Sequence, residues 1–107
     1  MRPYEVMVIY DAELDDSEIR DTVEQLRQQL AASGAELGPV DFWGKRRLAY
    51  RINHRWEGYY VVLQAKAEPA AMDELSRTLA LADEVMRHKV LRIPDAAYGK
   101  LGTPAEQ

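Results

Sequence analysis

The chain has 107 residues, a size that predicts one domain with its own core, and it contains no cysteine, which excludes disulfides, thiolate chemistry, zinc fingers and iron–sulfur clusters. Its 18 acidic and 14 basic residues give a net charge of -4, which taken alone argues weakly against a polyanionic partner. The sequence shows no signal segment and no apolar run near the ~20 residues of a membrane span, so we expect a soluble, cytoplasmic protein.

The first third of the chain predicts a strand followed by a helix. Residues 4–10 are rich in β-branched and aromatic side chains, and their alternation is typical of a strand. Asp15, with Glu18 three residues later, predicts a helix N-cap, and Gly34 suits the left-handed conformation that ends a helix. Four apolar residues at helical spacing lie between these two signals: Ile19, Val23, Leu26 and Leu30.

The middle of the chain predicts two further strands. An extended segment begins at Glu36, but Gly38–Pro39 interrupts it, so we expect the long second strand to lie beyond Gly44. In that strand apolar residues alternate with polar ones and are predicted to point to the core. A loop over residues 53–57 follows, and the apolar run 59–66 predicts a central strand. The alternating apolar residues of the second strand are Leu48, Tyr50 and Ile52.

The last third of the chain predicts a helix, a strand and a tail. Glu68–Pro69 begins the helix, since proline is tolerated in a first helical turn, and Met72, Leu75 and Leu79 are expected to face inward. Residues 85–93 predict the last strand, which Pro94 closes. We therefore expect a domain over residues 1–94 and a flexible C-terminal tail over residues 95–107.

The order strand, helix, strand, strand, helix, strand predicts an α+β fold, the ferredoxin-like βαββαβ sandwich with a four-stranded antiparallel sheet and both helices on one face. The other face of the sheet would then be open, with Arg47 and Arg51 on the same side. An apolar centre with a basic rim indicates a protein partner next to an RNA surface, although a homodimer contact or a cover formed by the tail are alternatives. The side chains expected to be exposed at the centre of this open face are Met7, Ile9, Tyr60 and Val62.

Positive charge is concentrated in residues 43–58, which hold five of the 14 basic residues and one acid. Residues 11–36 hold eight acids and two bases. Because the Debye length is roughly 8 Å at physiological salt, opposite sides of a small domain are largely decoupled, and one side can bind RNA. An ordinary solvated hairpin is the alternative. Trp43 and Trp56 flank this segment, and packing on a neighbour is favoured over stacking on a base.

The sequence offers little for catalysis. His54 and His88 are too far apart for a local metal motif, no serine has a base beside it, and no glycine-rich phosphate loop is present, so no catalytic residue, metal or cofactor is predicted. The predicted fold also occurs in acylphosphatases and dimeric monooxygenases. A homodimeric enzyme or ligand-binding domain therefore stays open as an alternative, as does a stand-alone protein-interaction module.

Four motifs in order and spacing resemble the bacterial small-subunit ribosomal protein six family over almost the full length of the chain. They are Met1-Arg2-x-Tyr4-Glu5, Gly44-Lys45-Arg46-Arg47-Leu48-Ala49-Tyr50, Gly58-Tyr59-Tyr60 and Val85-Met86-Arg87-His88. The resemblance implies a non-enzymatic, ribosome-bound constituent of the small (30S) subunit. It further implies binding to the central domain of 16S ribosomal RNA, as a heterodimer with ribosomal protein eighteen, and stabilisation of a folded RNA junction, without a membrane or a small-molecule substrate.

The resemblance also implies two sets of site residues. Guanidinium groups can grip phosphate oxygens in paired hydrogen bonds, and a tyrosine can stack on a splayed base or bond a 2′-hydroxyl. Pro3 stands where many relatives have a basic residue, so weak RNA affinity is expected without the partner, and an acidic chain with few bases is expected to depend on its partner's charge. The candidates for RNA contact are Arg2, Tyr4, Lys45, Arg46, Arg47, Arg87 and Arg92, and those for the protein partner are Met7, Ile9, Tyr60 and Val62.

Overall fold

Four strands and two helices follow one another in the predicted order. The computed structural model describes residues 1–101, and its elements are β1 (Arg2–Asp11), α1 (Asp16–Ala32), β2 (Glu36–Ile52), β3 (Arg55–Ala67), α2 (Pro69–Leu81) and β4 (Val85–Arg92). The strands form one sheet in the order β2-β3-β1-β4, with every neighbouring pair antiparallel. This arrangement confirms the ferredoxin-like βαββαβ fold. None of the described helices is long and apolar enough to cross a membrane.

Helix α1 begins and ends where the sequence predicts. The backbone N–H of Glu18 donates to Asp15 Oδ1 at 2.8 Å, and the backbone N–H of Asp15 donates to Glu18 Oε1 at 3.0 Å, which together form a capping box. Gly34, directly after the C-cap Ser33, has a φ of 88°, a left-handed conformation that glycine adopts without a steric cost. All four apolar residues predicted to face inward are buried.

The main core lies between the two helices and one face of the sheet. The central strands β1 and β3 supply its floor through side chains at alternate positions, because successive side chains of a strand point to opposite faces. Helix α2 covers this floor with the three residues predicted from its spacing. The floor and cover include Val6, Val8, Tyr10, Val61, Leu63, Met72, Leu75 and Leu79.

Strand β2 is longer than the sequence predicts. It runs without interruption from Glu36 to Ile52. Its pairing with β3 is irregular between Leu37 and Val40 and again between Phe42 and Gly44, where residues of β2 have no partner in the register. The predicted interruption at Gly38–Pro39 thus appears as an irregularity in the pairing with β3, and the expectation that it divides the strand is wrong. An edge strand tolerates proline because one side of its backbone needs no partner strand.

A tight turn replaces the loop that was predicted between β2 and β3. Asn53 and His54 have φ values of 50° and 65°, and Ile52 pairs with Arg55 around them. Two successive residues with positive φ are typical of the type I′ turn, whose twist matches that of a hairpin. Residues 55–57, expected in a loop, thus belong to β3.

The end of this hairpin, residues 48–56, forms an arm that bends over the open face of the sheet. Between the pairs Arg47–Glu57 and Ile52–Arg55, four residues of β2 lie opposite one residue of β3, and such an excess bends a strand. The arm thereby buries Leu48 and Ile52 against Tyr60 and Met86 in a second apolar cluster. The prediction that Tyr50 points to the core is wrong, since 63% of it is exposed.

The segment after β4 packs across the other end of the open face. The Gln64 Nε2 group donates to the Lys100 carbonyl at 2.8 Å, and the Gly99 N–H donates to Gln64 Oε1 at 2.8 Å. Tyr98 lies so close to Gly38 that a Cβ there would be 2.8 Å from its hydroxyl. The flexibility of the tail, and the domain boundary at 94, remain predictions, and residues 102–107 of that tail lie outside the described residues.

Candidate nucleic-acid and partner interface

A groove of about 280 Å³ lies on the open face between the arm and β4. Its floor consists of apolar side chains from the central strands, and its rim on the β4 side carries two exposed basic residues. An apolar floor with a basic rim is the combination expected for a protein-binding site beside a nucleic-acid surface. The floor is formed by Met7, Ile9 and Tyr60, the arm side by Leu48, Ala49, Tyr50 and Ile52, and the β4 side by Arg87, His88 and Lys89.

The four residues predicted to be exposed at the centre of this face divide into two pairs. Met7 and Ile9 are half-buried, but Tyr60 and Val62 are only 8% and 2% exposed, so the prediction of exposure is wrong for the second pair. Tyr60 is covered because the arm packs on it and because the Trp43 ring stacks on it, at 6.0 Å between ring centroids. Burial also raises the pKa of the Tyr60 hydroxyl.

Trp43 is fixed in this position by its own hydrogen bond. Its indole Nε1–H donates to Asp41 Oδ2 at 3.1 Å, while its ring lies nearly parallel to that of Tyr60 at 6°. The expectation that a tryptophan near the hairpin packs on its neighbour is confirmed for Trp43.

The basic residues of β2 point to two different sides. Arg46 pairs with Gly58 and its Nη2 donates to the Trp43 carbonyl at 3.5 Å, whereas Lys45 and Arg47 line a recess on the far side of the hairpin. Arg47 was expected on the open face, and this is wrong because Leu48, its neighbour, is the residue that turns toward that face.

The other basic candidates lie on or beside the opposite edge strand. Arg87 pairs with Ile9 and stands at the groove, while Arg92 pairs with Tyr4 at the far end of β4, close to the start of β1 where Arg2 lies. All three arginines are exposed. Tyr4 is 9% exposed and belongs to the main core, so it cannot offer its ring to a splayed base, and only a hydrogen bond of its hydroxyl stays as a predicted RNA contact.

Two acids near the hairpin are already paired. Arg55 Nη1 donates to Glu13 Oε2 at 2.5 Å, and its Nη2 lies 3.8 Å from Asp11 Oδ2. The hydrogen bond that Arg55 donates to Glu13, followed by the charge of Asp11, raises the pKa of the Arg55 guanidinium above its ordinary value. These contacts tie the β1–α1 loop to the arm and reduce the negative charge that faces Lys45 and Arg47.

Among the basic residues at the groove, sequence reasoning missed Lys89. Lys89 lies on β4 two positions after Arg87 and pairs with Met7, so it stands on the same open face. The period of two in a strand could have identified it once Arg87 was chosen.

The described residues contain no group of His, Cys, Asp or Glu side chains placed to hold a metal ion. His88 instead contacts a helix, since its Nε2 lies 2.9 Å from the Ser76 hydroxyl. The fold and the surface therefore define a class of protein: a ferredoxin-like binding domain, with an apolar groove on its open sheet face and basic residues on both edge strands.

The particular family follows from comparison with known proteins. The family described as Ribosomal protein S6 matches residues 3–92, and the chain belongs to this family. The small ribosomal subunit protein bS6 of Mycolicibacterium paratuberculosis is 47% identical over 92 residues, covering 86% of this chain and 96% of that one. The bS6 protein of Desulforamulus reducens is 45% identical over 92 residues, covering 86% and 97%.

Solved structures agree with this assignment. The 30S ribosomal protein S6 of Thermotoga maritima superposes with a TM-score of 0.81 at 25% identity, covering 86% of this chain and 87% of that one. The C-terminal domain of the MgtC protein from Mycobacterium tuberculosis, with a TM-score of 0.60 and 15% identity, shares the fold alone; it covers 90% of this chain and 92% of that domain. The chain is therefore a structural, non-enzymatic component of the small ribosomal subunit.

Proposed function

We propose that this chain binds the central domain of 16S ribosomal RNA as a heterodimer with ribosomal protein eighteen and stabilises a folded RNA junction. The observation that carries the proposal is the groove on the open sheet face, which combines an apolar floor with basic residues on its β4 rim. An apolar surface that is left partly uncovered favours a protein partner, and the neighbouring basic residues favour RNA.

The partner's contact surface would centre on Met7 and Ile9, which are half-buried at the groove floor. Tyr60 belongs to the same floor but offers little surface of its own, and Val62, which pairs with Met7, is likewise covered. The exposed Tyr50 ring on the arm adds apolar area to the same side of the groove.

The RNA would contact basic residues at the two edges of the sheet. Arginine side chains there can bind phosphate oxygens in paired hydrogen bonds. Because the chain offers only these few basic residues to RNA, its own attraction for RNA is modest, and the partner would supply the rest of a composite basic surface. The proposed RNA contacts are Arg2, Lys45, Arg46, Arg47, Arg87 and Arg92, together with the hydroxyl of Tyr4.

The test is the affinity for a central-domain fragment of 16S RNA, measured with and without ribosomal protein eighteen at two salt concentrations. We expect tight binding only in the presence of the partner and a steep loss of affinity as salt rises, because displaced counterions drive the association. Equal affinity with and without the partner would contradict the proposal. If neither mixture binds, self-association of the chain, measured by light scattering, becomes the leading explanation of the groove.

A double variant, Arg46→Ala with Arg47→Ala, tests the basic residues of β2 within the heterodimer. We expect weaker RNA binding and a salt slope reduced by about 1 for each phosphate that the variant no longer neutralises. The matched control is Arg27→Ala with Arg77→Ala, which removes the same charge from the helix layer, where each arginine pairs with a glutamate three residues earlier. Unchanged binding of the first variant would remove these two arginines from the site.

A further inference from the structure

Trp56, unlike Trp43, is open to solvent. It lies at the start of β3 within the arm, and 48% of it is exposed. The guanidinium carbon of Arg47 lies 5.4 Å from the centroid of its ring, in cation–π contact. An exposed indole and a planar guanidinium thus stand together on a hairpin.

The recess around this pair is charged rather than apolar. Among the residues 1–101 that the structure describes, Ala12 is the only apolar side chain lining it besides Trp56. Two of the three acids on its wall, Asp11 and Glu13, are paired with Arg55, and the third, Glu57, pairs with Arg47 in the strand register. In the same part of the chain, no carboxylate lies within 4.0 Å of the Lys45 ammonium or the Arg47 guanidinium.

A lone aromatic ring in a charged recess fits a nucleobase better than a protein side chain. A tryptophan at the centre of a protein interface is normally surrounded by other apolar groups that exclude water. A base instead needs one flat surface to stack on and cations nearby for its phosphate.

We infer that Trp56 and Arg47 form a stacking platform for an unpaired nucleotide of the RNA, with Lys45 placed for the neighbouring phosphate. This inference rests on the proposed function and deepens it, because it names a single-stranded feature of the RNA, a bulge or a loop, as what the hairpin recognises.

The first test is Trp56→Ala in the heterodimer with the central-domain RNA fragment. Loss of a base stack weakens binding by roughly tenfold and leaves the salt slope unchanged, because stacking releases no counterions. Trp56→Phe, which keeps a smaller ring, restores most of the affinity. Leu81→Ala, which removes an exposed apolar side chain from the end of α2, is the matched control and binds as the parent does.

The second test observes the stack itself. In a Trp43→Phe variant, Trp56 is the only tryptophan of the chain, and its fluorescence is quenched when a base stacks on the ring. Quenching on addition of the RNA fragment, together with the affinity loss of Trp56→Ala, supports the platform.

The remaining outcomes overturn the platform in distinguishable ways. Parent-like RNA affinity of Trp56→Ala without quenching overturns it and leaves the proposed function standing. If Trp56→Ala weakens association with ribosomal protein eighteen instead, the ring belongs to the protein interface and the platform is wrong. If the parent heterodimer fails to bind the fragment, the proposed function and the platform fall together.

Discussion

Gly58 is needed for space rather than for conformation. A Cβ at this position would overlap with Ile9 Cγ2, and the Leu48 side chain would be 3.5 Å away from it. Because Gly58 has no side chain, the Ile9 side chain can pack against the backbone of β3 at the edge of the groove. The sequence singles out Gly58 as part of a motif, but the reason for it lies in a residue of another strand, far earlier in the chain.

The contact between Gly58 and Ile9 gives the first prediction. Gly58→Ala should reduce the free energy of unfolding by about 1–3 kcal/mol, because the added methyl group forces Ile9 to move. In an Ile9→Ala background, where Cγ2 is absent, the same change should cost clearly less. Urea denaturation of the four proteins measures this coupling, and an equal cost in both backgrounds would contradict the contact.

In the arm, the alternation of apolar and polar residues does not decide whether an apolar side chain joins the main core or the second apolar cluster. Leu48 and Ile52 are buried as predicted, but they join the second cluster on the open face, and Tyr50 from the same pattern is exposed. The reason is the four-against-one mismatch with β3, which bends the strand after Arg47.

Leu48 and Tyr50 therefore form a matched pair for a second prediction. Leu48→Ala should reduce the free energy of unfolding by about 2–5 kcal/mol, because it leaves a cavity under the arm. Tyr50→Ala should change it by no more than about 0.5 kcal/mol, since most of that side chain is in water. Chemical denaturation of both variants checks this, and similar costs would show that the second cluster does not stabilise the fold.

Helix α1 gives a prediction about pH. Hydrogen bonds from the Glu18 backbone N–H and from the Ser17 hydroxyl lower the pKa of the Asp15 carboxyl. A lowered pKa in the folded state means that the stabilisation is present above the unfolded value of about 3.9 and is lost as pH falls through the lower folded value.

The measurement compares the parent with Asp15→Asn, which keeps a cap acceptor but cannot titrate. The free energy of unfolding of the parent should fall more steeply than that of the variant as pH drops below about 3.9. Parallel profiles of the two proteins would mean that the capping carboxylate does not contribute to acid sensitivity.

At the scale of the whole molecule, charge is separated by distance. The described chain measures 37 × 27 × 21 Å, about 2.6 to 4.6 times the Debye length of roughly 8 Å at physiological salt. The acids on the exposed face of α1 therefore have little influence on the basic edges of the sheet, and the net charge of -4 does not describe the proposed RNA-binding side.

This separation yields a prediction for RNA binding by the heterodimer. Asp21→Asn with Glu24→Gln should change the affinity less than about twofold at physiological salt. At about 0.01 M salt the Debye length is roughly 30 Å, longer than two of the three dimensions of the described chain. Under that condition the same variant should bind RNA more tightly than the parent. A large gain already at physiological salt would show that the helix acids lie close to the bound RNA.

The sequence by itself determined the elements and the main core. Local signals sufficed for this, because the capping box at Asp15, the glycine after α1 and the apolar spacing of both helices act over a few residues. The motif Gly44 to Tyr50 also carried the resemblance that the family match confirms.

Only the tertiary structure decided how the open face is covered. The bend of the arm and the packing of Trp43 bury Tyr60, while the contacts of Gln64 with Gly99 and Lys100 cover the other end. These are contacts between residues far apart in the chain, and no local pattern specifies them. For the same reason the sequence could propose basic residues for RNA but could not tell which of the neighbours Arg46 and Arg47 faces the open side.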